Sequence, residues 1–228
     1  MRFLCLHGLG TNSDVLKAQT ERLDLKYTEM HDTAALRYHL RNEDEHEYDF
    51  VNGSLLWPPA PGIQEVFGSH VDCYSYFDGK DPSAASILEA VTDLANYIAS
   101  NGPFDAVIGF SQGAVLAATL IIGADEPLFK CAIFLCGGLP FDMAALRDNR
   151  VVECTSISVE RGLVRIPVVN CWADNDRDYP GMGPPLSRLC LPENNEEVVH
   201  SAGHGVPSEG EDLERLSAAV NAILKRVH

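Results

Sequence analysis

Asp105-Ala106-Val107-Ile108-Gly109-Phe110-Ser111-Gln112-Gly113-Ala114-Val115-Leu116-Ala117-Ala118 is the stretch on which the reading of this chain turns. A short β-branched run enters G-x-S-x-G, and an alanine-rich helical run leaves it. That order predicts a sharp strand-to-helix turn with the Ser111 hydroxyl exposed at the end of a strand. The flanking glycines let neighbouring chain pass without a Cβ clash, and the helix N-terminus aims its N–H groups at an oxyanion forming beside the serine. Ser111 is the candidate nucleophile. Gln112, immediately after it, offers a backbone N–H as one oxyanion donor.

Outward from that turn, further apolar runs at residues 2–7, 131–136, 167–172 and 197–200 read as buried strands, and residues 49–51 as one more. Residues 83–100 carry Ile87, Leu88, Val91, Leu94 and Ile98 on one helical face, with Gly102-Pro103 ending the run. Residues 209–227 carry Leu213, Leu216, Val220, Ile223 and Leu224 on one stripe, with Ser208 and Glu211 as a capping-box signal. Strands alternating with helices predict a mostly parallel sheet of about six strands with helices on both faces. With no repeat, low-complexity tract or linker, residues 1–228 are expected to form a single α/β domain without a separate lid domain. Residues 31–82 fit the alternation least. They hold the acidic run Glu43-Asp44-Glu45-His46-Glu47, a Pro-rich turn from Trp57 to Gly62, and the aromatics Tyr74, Tyr76 and Phe77, and they are a candidate substrate-facing surface.

A serine needs a base and an acid, here in the chain order Ser, Asp/Glu, His. His204, in His200-Ser201-Ala202-Gly203-His204-Gly205-Val206-Pro207, sits in a small-residue loop between the last strand and the last helix. It is the candidate base, and His200 is its nearby competitor. His31, His39, His46, His70 and His228 lie outside such a context and read as solvated. The acid is expected just after the strand at 167–172, where Asp174, Asp176 and Asp178 all stand. The first strand ends in His7-Gly8-Leu9-Gly10-Thr11-Asn12, a turn that offers the Leu9 N–H as the second oxyanion donor.

Composition removes other classes. The 228 residues hold 17 Lys+Arg against 33 Asp+Glu, a formal charge of −16, which repels phosphate backbones and anionic membrane surfaces. No apolar run approaches the ~18–20 residues that span a bilayer, and the N-terminus lacks a secretory signal, so the expected location is cytoplasmic. The seven cysteines form no C-x-x-C pair and sit mostly in apolar runs, as buried reduced thiols do. Gly8-Leu9-Gly10 runs on to Ser13 without the third glycine of a dinucleotide site, and there is no H-E-x-x-H. No metal or organic cofactor is implied.

These motifs together resemble the fungal "family of serine hydrolases", a small α/β-hydrolase group. The resemblance is carried by residues 3–12, by Gly102-Pro103-Phe104-Asp105 running into Gly109-Phe110-Ser111-Gln112-Gly113, by Ile166-Pro167-Val168, and by Gly203-His204-Gly205-Val206-Pro207. It implies an α/β-hydrolase fold and a Ser-His-Asp hydrolase that works through an acyl-Ser111 intermediate. In the family the acid follows a loop glycine by three positions. Ala173 stands at that glycine here, and Asn170 stands where relatives carry a histidine. The spacing favours Asp176, with Asp174 next and Asp178 last. Family members include thioesterases that release polyketide chains from synthase carrier domains, as in the lovastatin pathway, and carboxylesterases. The resemblance therefore implies an acyl ester or thioester substrate, with an acyl carrier domain as a candidate partner. Two alternatives end differently: an acyltransferase or cyclase using the same acyl-enzyme, and a non-catalytic binding protein on the same fold. Residues 147–188 balance six arginines (147, 150, 161, 165, 177, 188) against six carboxylates (Asp148, Glu153, Glu160, Asp174, Asp176, Asp178) in an otherwise acidic chain, which makes them a candidate docking face.

Overall fold

Strands covered on both faces can carry apolar residues at every position, which is why the uninterrupted runs of this sequence become the middle of a parallel sheet. The computed structural model describes residues 1–20, 36–39, 46–155 and 163–227. In chain order the elements are β1 (Arg2–Leu6), α1 (Ser13–Thr20), α2 (Leu36–His39), β2 (Glu47–Val51), β3 (Leu55–Leu56), α3 (Ile63–Phe67), β4 (Tyr74–Ser75), α4 (Ala84–Asn101) and β5 (Ala106–Phe110). Then come α5 (Gln112–Gly123), β6 (Cys131–Leu135), α6 (Met143–Arg147), β7 (Val168–Ala173), α7 (Pro184–Ser187), β8 (Asn195–His200) and α8 (Gly210–Val227). Six strands form one sheet in the order β2-β1-β5-β6-β7-β8, and every neighbouring pair is parallel.

Alternate side chains of each strand feed two cores. Leu4, Leu6, Val107, Ala132, Phe134 and Val168 point to one face, where Ile87, Val91 and Leu94 of α4 and Leu116 of α5 cover them. Phe3, Cys5, Ile108, Ile133, Leu135 and Val169 point to the other, under Leu16 of α1 and Leu213, Leu216, Val220, Ile223 and Leu224 of α8. The expected stripes of α4 and α8 are thus the buried ones, with Leu88 and Ile98 only partly covered. Ser83 caps α4 by accepting the Ser86 N–H. The last helix opens at Gly210, one residue after the expected start. All seven cysteines are buried and unpaired. Among the described residues no helix is long and apolar enough to cross a membrane.

Residues 46–82 contain more order than their composition predicts. β2 extends the expected strand back to Glu47, and β3 pairs with β4 as an antiparallel two-residue ribbon. His46 is not simply solvated: its ring packs edge-on against Phe3 and its Nδ1 lies 3.2 Å from the Met1 amino group. His70 is exposed as expected. His31, His228, the His39 side chain, Glu43–Glu45, Glu160 and Arg161 lie outside the described residues.

The chain leaves β1 towards β2 on one side, then returns to place β5 on the other. The order reverses between β1 and β5, so their carboxyl ends flank the crevice where open α/β sheets bind ligands. Both glycines of G-x-S-x-G are required there. A Cβ on Gly109 would sit 2.6 Å from Ala114 Cα, and one on Gly113 would sit 2.4 Å from the Leu6 carbonyl oxygen and 2.7 Å from that of His7. The obstacles are backbone and have no room to yield. Gly113→Ala is expected to destabilise the protein by about 2 kcal/mol or more through overpacking, read as a lower urea midpoint at unchanged slope.

Candidate active site

Three strand ends deliver the three candidate side chains. Ser111 follows β5 directly and adopts φ 51°, ψ −113°, a conformation that L-residues reach only when their surroundings enforce it. Its N–H donates to Leu135 O at 2.8 Å, and its carbonyl accepts from Ala114 and Val115 as α5 begins. The hydroxyl thus projects from the turn with its backbone held on both sides. His204 lies in the loop after β8, with Nε2 2.9 Å from Ser111 Oγ. Asp176 lies in the turn after β7, with Oδ2 2.7 Å from His204 Nδ1.

Of the three carboxylates after β7, the structure brings Asp176 to the histidine. Asp176 is buried, whereas Asp174 and Asp178 are exposed. The turn folds so that the N–H groups of Asp178 and Tyr179 donate to Asp176 Oδ1 at 3.0 and 2.9 Å. Burial pushes the Asp176 carboxyl upward. The Tyr179 N–H, His204 and the Asp178 N–H more than offset it, so the group lies below its ordinary range and stays ionised. His200, the competing histidine, turns away from Ser111, with its Nε2 3.8 Å from Cys136 Sγ.

The turn after β1 supplies the opposite wall. No acceptor among the described residues engages the N–H of Leu9 or of Gln112. His7 explains how the first is oriented. Gly53 N–H donates to His7 Nε2 at 3.0 Å, so the ring proton sits on Nδ1, 2.7 Å from Gly8 O. The Thr11 hydroxyl donates to the same carbonyl at 2.7 Å. In a trans peptide the Gly8 C=O and Leu9 N–H point opposite ways, so pinning one aims the other away from His7. The ring stacks on Tyr76 at 4.7 Å.

Sequence reading missed several contributors. The Gln112 side chain accepts the Tyr76 N–H and donates to Phe77 O, both at 3.0 Å, bolting residues 75–77 to the nucleophile turn. Tyr179 packs over His204 with ring centroids 4.4 Å apart, and Phe110 approaches at 5.3 Å. Asn175 joins acid and base loops, accepting the Gly203 N–H at 3.0 Å and donating to Ser201 O at 2.7 Å. Its place beside Asp176 was the one available signal.

A cavity of about 1170 Å³ opens over Ser111 and His204. Trp57, Phe77, Val115, Phe141, Tyr179 and Met182 are among its walls. The aromatic stretch thus contributes Trp57 and Phe77, whereas Tyr74 and Tyr76 are not among the lining residues, and the Tyr76 hydroxyl accepts the His7 N–H.

A family model described as serine hydrolase (FSH1) matches residues 1–216. The chain belongs to this serine hydrolase family. It is 36% identical to the esterase FPY3 of Fusarium mangiferae over 230 residues, covering 99% of this chain and 98% of that one. It is 30% identical to the hydrolase phiM of a fungal species, covering 100% and 97%. Among solved structures it is similar to SOBER1 of Arabidopsis thaliana (TM-score 0.60, 16% identity, 98% and 99% covered). It is also similar to acyl-protein thioesterase 2 of Zea mays (TM-score 0.60, 19% identity, 98% and 94% covered). The likeness to these structures is one of fold, and this FSH1-family enzyme has the α/β-hydrolase fold.

Burial lowers His7 from its ordinary 6.5 to about 4, with the bond to Gly8 opposing. The folded state then binds fewer protons than the unfolded state between those values. The stability due to neutral His7 is complete above pH 6.5, declines as pH falls and is exhausted near pH 4. Urea unfolding from pH 7 to pH 4 should show this decline, and His7→Asn should flatten it.

Proposed function

We propose that the enzyme hydrolyses an acyl thioester or carboxylic ester of a large apolar acyl chain, with Ser111 as nucleophile, His204 as base and Asp176 as the acid that orients it. The observation that carries this reading is the unbroken Asp176–His204–Ser111 hydrogen-bond sequence opening into the apolar cavity. Ser111 Oγ attacks the acyl carbon while His204 Nε2 takes its proton. The carbonyl oxygen becomes an oxyanion between the Leu9 and Gln112 N–H groups. The intermediate collapses to acyl-Ser111 as His204 returns the proton to the departing thiol or alcohol. Water then attacks the acyl group, His204 again serving as base and acid, and the carboxylic acid leaves. Asp176 accepts from Nδ1 throughout, keeping Nε2 free to exchange protons with Ser111.

The cavity favours a long acyl chain because its volume exceeds what a short ester fills. Resemblance to polyketide-releasing thioesterases supports a carrier-bound thioester. The five described arginines of the 147–188 segment are exposed, as a face meeting an acidic carrier domain requires. Seven unpaired buried thiols support a reducing compartment, the cytoplasm.

Ser111→Ala and Asp176→Asn are each expected to lower kcat by roughly 10⁴-fold on p-nitrophenyl butyrate, with Asp174→Asn near wild type. A larger loss at Asp174 than at Asp176 reverses the assignment. On the substrate side, a carrier-bound acyl thioester should give a higher kcat/KM than p-nitrophenyl butyrate, and added salt should shrink the difference. Equal, salt-independent values would mark a general carboxylesterase.

A further inference from the structure

Two buried side chains outside the acyl-transfer chemistry lie beneath the loop that carries His204. Cys136 follows β6 and is 1% exposed; His200 ends β8 and is 4% exposed. Ala202 N–H donates to His200 Nδ1 at 3.1 Å. Since Nδ1 accepts, the neutral ring carries its proton on Nε2, which faces Cys136 Sγ at 3.8 Å. The thiol in turn donates to Gly205 O at 3.4 Å. Burial favours the uncharged form of each group, drawing His200 down and pushing Cys136 up to about 12. All three bonds therefore run in one direction: from the Ala202 N–H through the imidazole and the thiol to the Gly205 carbonyl. They leave the loop two residues before His204 and rejoin it one residue after. Apart from those of His204 itself, the other side-chain bonds to this loop among the described residues, from Asn175 and Asp212, hold residues 201 and 203, both before His204.

We propose that Cys136 and His200 form a hydrogen-bonded clamp that fixes the loop on both sides of His204 and so sets the position of the base. They are positioning residues, and the proposal rests on the role assigned to His204 above. Each bond is weak on its own, but the reaction is sensitive to where Nε2 stands: a displacement of about 1 Å can cost on the order of 10²-fold.

The test compares conservative and non-conservative replacements, with p-nitrophenyl butyrate as substrate and thermal unfolding measured alongside. Cys136→Ala is expected to lower kcat roughly tenfold with KM little changed. Cys136→Ser, whose hydroxyl can still donate to Gly205 O, should recover most of that loss. His200→Asn places its amide oxygen near the position of Nδ1 and should retain more kcat than His200→Leu, which cannot hold the Ala202 N–H. Because the bonds form one chain, the Cys136→Ala/His200→Leu double variant should lose no more than about twice what the worse single variant loses. The proposal is overturned if Cys136→Ala keeps wild-type kcat, if Ser and Ala at 136 are equivalent, or if the single losses multiply in the double variant. Should Cys136→Ala fail to fold, the Asn and Leu pair at 200 decides by the same criterion. Labelling by a fluorophosphonate separates the two levels. A clamp variant that labels slowly but fully leaves the Ser111 assignment standing, whereas an enzyme whose Ser111→Ala form still labels refutes the reading beneath it.

Discussion

The site depends on how closely α5 approaches the end of β1. Gly113 N–H donates to His7 O at 3.1 Å, and the space at Gly113 admits no side-chain atom between helix and strand. That contact fixes the start of the helix against the crevice between β1 and β5, and with it the strained backbone of Ser111. The same contact sets the spacing between the Gly8-Leu9 turn and the Gln112 N–H, so both proposed oxyanion donors stand on one rigid junction. A site built this way is preorganised by packing, and its donors need not move as charge develops.

Around that junction, polar groups are held mainly by neutral partners. His7 uses one ring nitrogen as acceptor and the other as donor, and so does His200 at the end of β8. Uncharged imidazoles serve well in such positions, since they can satisfy a donor and an acceptor at once without carrying a charge into a desolvated place. The ionised Asp176 is the exception. It is surrounded by N–H donors from its own turn and faces His204, so its burial is compensated.

Much of this was legible from residue order alone. The inner strands announce themselves because strands buried on both faces need no polar alternation, and the α8 stripe from Leu213 to Leu224 can be read by eye. Ser111 and His204 follow from glycine-marked turns at the expected places in an α/β alternation. The proposed acid was harder to single out, because Asp174, Asp176 and Asp178 have the same chemistry and the same strand behind them. What separates them is a turn that swings residue 176 inward to meet the N–H groups of residues 178 and 179, and only the folded backbone expresses it. The β3–β4 ribbon was hidden for a different reason. Two-residue strands such as Leu55–Leu56 have no periodicity, and their order comes from pairing across sequence. His7 and Gln112 were visible as members of motifs, yet the work of their side chains lies in contacts with Gly53 and with residues 75–77.

The cavity walls divide into two kinds. Trp57 and Val151 come from irregular segments that, among the described residues, make no hydrogen bond to the Ser111–His204–Asp176 chain or to the residues bonded to it. Phe77, Asp178 and Tyr179 are tied to it, the first through its carbonyl to Gln112 and the other two through their N–H groups to Asp176, and Met182 joins them through the Tyr179 carbonyl. On the proposed function, the shape of the cavity is therefore separable from the proposed catalytic chain at Trp57 and Val151, and joined to it at Phe77, Asp178, Tyr179 and Met182. Under that reading, descendants of this chain can reshape the cavity at 57 or 151 while the Ser111–His204–Asp176 distances stand, whereas backbone rearrangement at 77, 178 or 179 shifts cavity and chain together.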